Sequence, residues 1–370
     1  MRLLALVTDG FGRPGGIAHY NRDLISALAQ SRQVSEIAVL PRFAGTDASA
    51  ADKVPKKVHE LAPSAGRAAW SARAAALAAE RRFDAVLCGH LNAVPLAAAI
   101  AGSCRIPLWV QVHGIEAWER RGVLHRLGLS AADLITSVSR YTRTRLLEWA
   151  DVPPHRVRVL PNTVDPGYAP RPRRDGLVRH LGLTDRRVIL TVGRLSATEA
   201  YKGHDRIIAA LPGILSRAPD AAYLIVGTGD DRPRLERLAS EQGVSDRVLF
   251  AGHVPDAELP DYLALAHVFA MPSTGEGFGI AFLEAAASGL PVIGGNRDGS
   301  VDALAEGRIG RLVDPDAQPE LETAVIAALR ADESDAEAGH RVAAARQEVQ
   351  RFAFGQFAAH VDKLVHSLAC

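Results

Sequence analysis

Twice along the chain, short apolar runs rich in β-branched residues alternate with longer Ala/Leu-rich runs of helical period. Strands separated by whole helices pair in parallel, and a parallel sheet needs helices on both faces. The first series predicts strands over Leu3–Val7, Ile37–Leu40, Ala85–Leu87, Leu108–Val112, Leu134–Ser137 and Val157–Leu160, with helices such as Ile17–Ala29 and Arg67–Arg82 between them. The second predicts strands over Val188–Val192, Tyr223–Val226, Val248–Phe250, Val268–Met271, Pro291–Ile293 and Gly310–Val313, and helices over Asp205–Leu215, Arg232–Gln242, Glu258–Ala266, Ala281–Ser288 and Pro319–Arg330. Between the two lies Pro161-Asn162-Thr163-Val164-Asp165-Pro166, followed by Pro170, Pro172 and the basic cluster Arg171, Arg173 and Arg174. Prolines and charge without periodicity read as an interdomain linker. The expected class is α/β, with two doubly wound domains over 1–165 and 166–351. Ligands bind such sheets at the carboxyl ends of the strands, so a cleft between the domains is the expected site.

Charge narrows the choice of partners. Lys and Arg number 43 and Asp and Glu 42, a net charge of +1, which disfavours a nucleic-acid partner. The balance hides an asymmetry. Residues 1–165 hold 21 basic and 14 acidic residues, and residues 166–370 hold 22 and 28, so the halves are expected to meet different partners. Cys88, Cys104 and Cys370 make neither a disulfide framework nor a zinc spacing, which suits a reduced, cytoplasmic setting. The start, MRLLALVTDG, runs into a strand without the pattern of a signal peptide. The longest uncharged apolar stretch, Leu91 to Cys104, is too short to span a bilayer and contains Pro95.

Three features carry chemistry. Gly15-Gly16 stands between the first strand and the first helix, where backbone can approach a phosphate or sugar; a plain strand-to-helix turn is the alternative. The run is not GxGxxG, which weakens the case for a dinucleotide cofactor. Val192-Gly193-Arg194-Leu195 ends a strand eight residues before Lys202-Gly203, so Arg194 and Lys202 are a pair of cations suited to a diphosphate. Gly275-Glu276-Gly277-Phe278-Gly279-Ile280 opens a helix. The amides of Gly279 and Ile280 would point at an anion, and Glu276 and Glu284 would bracket it with carboxylates able to accept hydrogen bonds from vicinal hydroxyls. Glu284 lies in the apolar run Ile280–Ala287, where a charge is costly unless it has a partner.

Glu276 and Glu284 form E-x7-E around Gly277-Phe278-Gly279, and this pattern resembles the retaining glycosyltransferases of family four. The resemblance extends over nearly the whole chain, through Gly15-Gly16, His113-Gly114, Pro161-Asn162-Thr163-Val164-Asp165, Val192-Gly193-Arg194-Leu195, Lys202-Gly203, Val226-Gly227-Thr228-Gly229 and Gly252-His253-Val254. It implies the GT-B fold: two Rossmann-like domains, the first binding acceptor and the second the nucleotide-sugar donor. A last helix, here about Phe352–Leu368 within 352–370, would cross back to the first domain. It implies that Arg194 and Lys202 neutralise the donor diphosphate. Gly193, Gly227, Gly277, Phe278, Gly279 and Ile280 would line the donor, and Gly15 and Gly16 would close on it. Glu284 would hold the ribose, Glu276 the hydroxyls of the transferred sugar, and His113 would stand at the sugar's reacting face. His253, Val254 and Asp256 would touch the base. No D-x-D motif is present, so the cations would replace a metal and no cofactor is expected. Front-face attack is the favoured mechanism, with His113 as general base the alternative.

The donor reads as GDP-mannose or a UDP-hexose. Asp256 could accept from guanine or could instead cap the helix that follows. The acceptor reads as a carbohydrate or a lipid-linked sugar. Trp118-Glu119-Arg120-Arg121-Gly122-Val123-Leu124-His125-Arg126-Leu127, taken as a helix, mixes apolar and basic residues. Together with Arg67, Arg73, Arg81 and Arg82 it could meet anionic lipid, placing the protein peripherally on the inner face of a membrane; a solvated charged face is the other reading. Rival functions are a nucleotide-sugar epimerase or sugar phosphorylase on the same fold, a non-catalytic nucleotide-sugar-binding subunit, and a nicotinamide dehydrogenase. The last is weakened by the missing dinucleotide fingerprint.

Overall fold

The computed structural model describes residues 1–12, 15–45, 54–80, 82–331 and 336–369; Arg81 and Cys370 lie outside them. Contacts divide the chain into two compact units. One is Met1–Thr163 with the C-terminal segment from Phe354, and the other is Val164–Ala353.

The first unit is built on β1 (Arg2–Asp9), β2 (Glu36–Phe43), β3 (Val58–Glu60), β4 (Ala85–Cys88), β5 (Leu108–Val112), β6 (Leu134–Ser137) and β7 (Val157–Val159). They form one parallel sheet in the order β3-β2-β1-β4-β5-β6-β7. β3 escapes the sequence reading because three residues are too few to carry a period. The order reverses between β1 and β4, which makes their carboxyl ends the topological switch point of the sheet. Leu4, Leu6, Leu40, Val86, Val110 and Ile135 fill the core. The C-terminal helix Phe354–Ala369 packs on helix Gly16–Gln30, with Phe357 edge-on to Tyr20 at 5.7 Å and Ser31 Oγ donating to Asp362 Oδ1 at 2.6 Å.

The segment Trp118–Leu127 is not one helix. A short 3₁₀ turn covers Ile115–Ala117, and the helix begins only at Val123 and runs to Ser130. Extended Gly122 caps it, and Arg121 Nε turns back to donate to the Glu116 carbonyl at 2.9 Å. Trp118 is partly covered, its indole donating to Thr142 Oγ1 at 3.0 Å, so it belongs to the unit rather than to an exposed stripe.

The second unit contains β8 (Arg187–Val192), β9 (Ala221–Val226), β10 (Val248–Gly252), β11 (Val268–Met271), β12 (Val292–Gly295) and β13 (Arg311–Val313). They form a parallel sheet in the order β10-β9-β8-β11-β12-β13, with the switch between β8 and β11. Ile189, Ile207, Leu211, Tyr223, Ile225, Val268 and Val325 make its core. The basic stretch after Pro170, read from sequence as linker, is tied to this unit. Arg171 and Arg174 both pair with Asp261, at 3.0 and 2.6 Å, and a six-residue helix Asp175–His180 follows. The helix predicted over Glu258–Ala266 is confined to Leu259–Leu263. Its cap position is Glu258, with no side-chain cap bond, so Asp256 does not cap it.

Candidate active site

The switch point of the second sheet gathers its charged residues. β8 ends at Val192, and the chain then runs through Gly193 and Arg194 into a 3₁₀ segment, Ala197–Lys202, before helix His204–Arg217. A methyl group at Gly193 would lie 3.0 Å from the Lys202 stem, so glycine there leaves the lysine its room. β11 ends at Met271 and leads through Glu276 to helix Ile280–Ala287. Lys202 forms an ion pair with Glu276 from the neighbouring strand's loop. Arg194 pairs with Glu199, whose second oxygen lies 4.0 Å from Lys202 Nζ. Two cations and two carboxylates thus interlock where the strand order reverses. The Lys202 and Glu276 side chains are each only 13% exposed, whereas Arg194 is 78% exposed.

Asp298 pins the Glu276 loop. Fully buried, it accepts from the Glu276 amide at 2.8 Å, from Ser273 Oγ at 2.8 Å and from the Ser300 amide at 2.9 Å. Burial pushes its carboxyl up and these hydrogen bonds pull it back. The Gly299 amide closes the loop by donating to the Glu276 carbonyl at 2.8 Å. Gly279, at φ 94°, takes the left-handed conformation that starts the helix at Ile280; the Phe282 amide bonds back to the Gly279 carbonyl, while the Ile280 and Ala281 amides at the very start form the anion-attracting end.

Glu284, the fifth residue of that helix, does have the partner its apolar surroundings demand: the Tyr168 hydroxyl donates to it. Desolvation first, then the Glu284 and Asp256 carboxylates, drives the Tyr168 phenol well above its ordinary range. Tyr168 therefore joins the carboxylate expected at the ribose to the one expected at the base.

In the first unit, His113 follows β5, the strand beside β4. Its Nε2 donates to the Gly89 carbonyl at 2.9 Å, and its backbone amide donates to Glu116 Oε1 at 2.5 Å. Tyr20 lies edge-on at 5.1 Å. Burial lowers the His113 pKa to about 4, so the ring is neutral near pH 7 and a weak proton acceptor. Gly15, at φ 112°, caps the helix that begins at Gly16.

Some expected donor residues serve packing with their side chains. Phe278 is 3% exposed and packs edge-on to Phe352 at 5.7 Å, so its ring serves the core. Val254 is buried, while His253 and Asp256 are exposed. Gly227 meets the Gly193 carbonyl so closely that any side chain would collide with it, which makes it a spacer between the ends of β8 and β9. Sequence reasoning missed Glu199, Asp298 and Tyr168, because their partners come from other strands' loops or from a turn that no period announces.

Comparisons with known proteins give the family and the fold. Residues 14–168 match the model for Glycosyltransferase Family 4, and residues 177–344 match that for Glycosyl transferases group 1. A GDP-mannose-dependent alpha-(1-6)-phosphatidylinositol monomannoside mannosyltransferase from Mycolicibacterium smegmatis is 35% identical over 346 residues, covering 87% of this chain and 88% of that protein. A GDP-mannose-dependent monoacylated alpha-(1-6)-phosphatidylinositol monomannoside mannosyltransferase from Corynebacterium glutamicum is 32% identical, covering 82% of each. Among solved structures, HepE of Anabaena in complex with UDP superposes with a TM-score of 0.79 at 22% identity, covering 99% of this chain and 100% of that one. The two switch-point sheets and the returning helix are those of a GT-B protein. The chain belongs to the family-four glycosyltransferases, and it is a retaining hexosyltransferase.

Proposed function

We propose that the protein transfers mannose from GDP-mannose to a hydroxyl of a phosphatidylinositol-based glycolipid, with retention of the anomeric configuration. The interlocked Arg194, Glu199, Lys202 and Glu276 cluster at the switch point carries the transfer reading. The donor and acceptor rest on identities of 35% and 32% to mannosyltransferases over most of the chain. Asp256, which no cap engages, suits the N1 and N2 donors of guanine.

In this reading the second unit binds the donor and the first takes the acceptor. Arg194, Lys202 and the amides at Gly279 and Ile280 face the diphosphate. Glu284, steadied by Tyr168, accepts from the ribose hydroxyls, and Glu276 accepts from hydroxyls of the mannose. As the bond between the anomeric carbon and the phosphate oxygen breaks, positive charge grows on the sugar and negative charge on the diphosphate. The fixed cations and amides stabilise the latter without reorganising. The acceptor oxygen bonds to the anomeric carbon on the face that the phosphate leaves. Its proton passes to the departing phosphate oxygen, and GDP is released. His113, kept neutral near pH 7 by burial, is too weak a base to be assigned that proton.

The acceptor side has a matching surface. Val123, Leu124 and Leu127 project from helix Val123–Ser130 at 59%, 69% and 61% exposure, next to exposed Arg120. They are three of the six exposed large hydrophobics among the described residues. Apolar side chains beside arginine suit shallow insertion into an anionic lipid surface. No helix among the described residues is long and apolar enough to cross a membrane.

Incubation with radiolabelled GDP-mannose and a phosphatidylinositol mannoside, followed by NMR of the product, tests the proposal. An α-mannosyl glycolipid is expected. Hydrolysis or epimerisation of the donor without glycolipid product overturns it.

A further inference from the structure

Glu199 has no role in the reaction as derived above, yet the fold places it with care. It sits in the 3₁₀ segment Ala197–Lys202 at a non-helical φ of −118°, with only 9% of its surface exposed. One carboxylate oxygen pairs with Arg194. The other lies 4.0 Å from Lys202 Nζ and is buried without a hydrogen-bond partner. A desolvated carboxylate with an unfilled acceptor is costly, and the two cations beside it are what offset the cost. Arg194, by contrast, is largely in solvent, and a long exposed side chain without such an anchor samples many rotamers.

From this we infer that Glu199 is a positioning residue: an internal counter-carboxylate that holds Arg194 and Lys202 in register for the donor diphosphate and limits how tightly the pocket grips it. The inference rests on the proposed assignment of Arg194 and Lys202 to the diphosphate. With Glu276 on the other side of Lys202, the resting cluster holds two positive and two negative groups and is close to neutral. A diphosphate entering it competes with Glu199 for Arg194. The same competition favours departure of the nucleoside diphosphate product, which carries one more unit of negative charge than the esterified donor. Glu199 touches the cations and not the reacting atoms, so it acts through them.

Charge and reach can be separated by substitution. Glu199→Gln keeps an acceptor for Arg194 and removes the negative charge. Glu199→Asp keeps the charge and shortens the reach. Calorimetric titrations of wild type and both variants would use GDP and UDP, with GMP and UMP as controls lacking the second phosphate. Glu199→Gln is expected to bind the preferred diphosphate about five- to tenfold more tightly, the scale of one partly screened charge at close range, with a smaller change for the monophosphate. That gain should shrink by half or more in an Arg194→Ala background. Glu199→Asp is expected to keep near wild-type diphosphate affinity while kcat drops several-fold. Unchanged or weaker diphosphate binding by Glu199→Gln overturns the inference, as does an unaltered kcat in Glu199→Asp. If the wild-type protein binds neither diphosphate, the site assignment falls with it. If it binds one and the glutamine variant gains nothing, only the role of Glu199 falls.

Discussion

Lys202 and Glu276 form an ion pair across 74 positions of sequence, joining the loops that leave β8 and β11 where the strand order of the sheet reverses. In the proposed function this pair offers one group to a phosphate and one to sugar hydroxyls at a single point. Removing Lys202 leaves Glu276, only 13% exposed, without its ion-pair partner. Lys202→Ala is expected to lower transfer by about 10²–10³, the loss typical of one charge-stabilising donor. Steady-state kinetics at saturating donor would measure it, and a near-normal kcat would remove Lys202 from the diphosphate.

If Glu284 holds the ribose as proposed, Glu284→Ala is expected to lower kcat/KM by two or more orders of magnitude, on the same ~10²–10³ scale. Tyr168→Phe should be milder and different in kind. It leaves the carboxylate in place but removes the hydroxyl that holds it, so the donor KM is expected to rise several-fold while kcat changes little. A fall in kcat with KM unchanged would place Tyr168 in the chemical step instead.

The placement of Glu276, Glu284, Arg194 and Lys202 was legible in the sequence because each stands at a fixed offset from a strand end or a helix start, and local spacing survives in a linear string. Tyr168 was not, because its partner is 116 residues away and only the folded chain brings the two together. Asp298 was hidden for the same reason, since it holds the Glu276 amide from the loop after β12. Glu199 lay in plain view between the two cations but depends on a 3₁₀ turn without a periodic signature. The alternation of runs determined the architecture, while β3 was too short to register and Gly122 delays the helix to Val123, midway through the Trp118–Leu127 stretch.

Acid should destabilise the fold in a defined window. Burial holds His113, His204 and His267 at pKa values of about 4, below the ordinary histidine value of 6.5. Each therefore stays neutral in the folded state while the unfolded chain takes up a proton as pH falls below about 6.5. The stability they contribute is complete above that value and is lost progressively as pH drops toward 4. For well-buried His113 and His204 the loss reaches roughly 3 kcal/mol each. Burial raises the carboxyls of Asp298 and Glu60, which opposes this trend at the acid end. Thermal midpoints recorded from pH 7 to 4.5 are expected to fall steadily, and a flat profile would contradict the neutral, buried state of these rings.

The exposed apolar side chains of helix Val123–Ser130 predict binding to anionic vesicles. Leu124→Ser with Leu127→Ser is expected to reduce sedimentation with phosphatidylinositol-containing liposomes several-fold, while the folded protein keeps its thermal midpoint because both side chains are already in solvent. Wild-type protein that fails to sediment at low salt would remove the membrane from the account.

If Arg194, Lys202 and the helix amides supply the positive charge as proposed, transfer is expected to persist in EDTA. Complete loss restored by Mg²⁺ would mean that a divalent cation carries the diphosphate charge instead.

In the proposed function the second unit holds a guanine nucleotide diphosphate on Arg194 and Lys202. Calorimetric titration of the protein with GDP and with UDP tests it most directly. A GDP Kd at least about tenfold below that for UDP is expected, a difference of about 1.4 kcal/mol, together with loss of GDP binding in Lys202→Ala. Tighter binding of UDP, or GDP binding indifferent to Lys202, would contradict it.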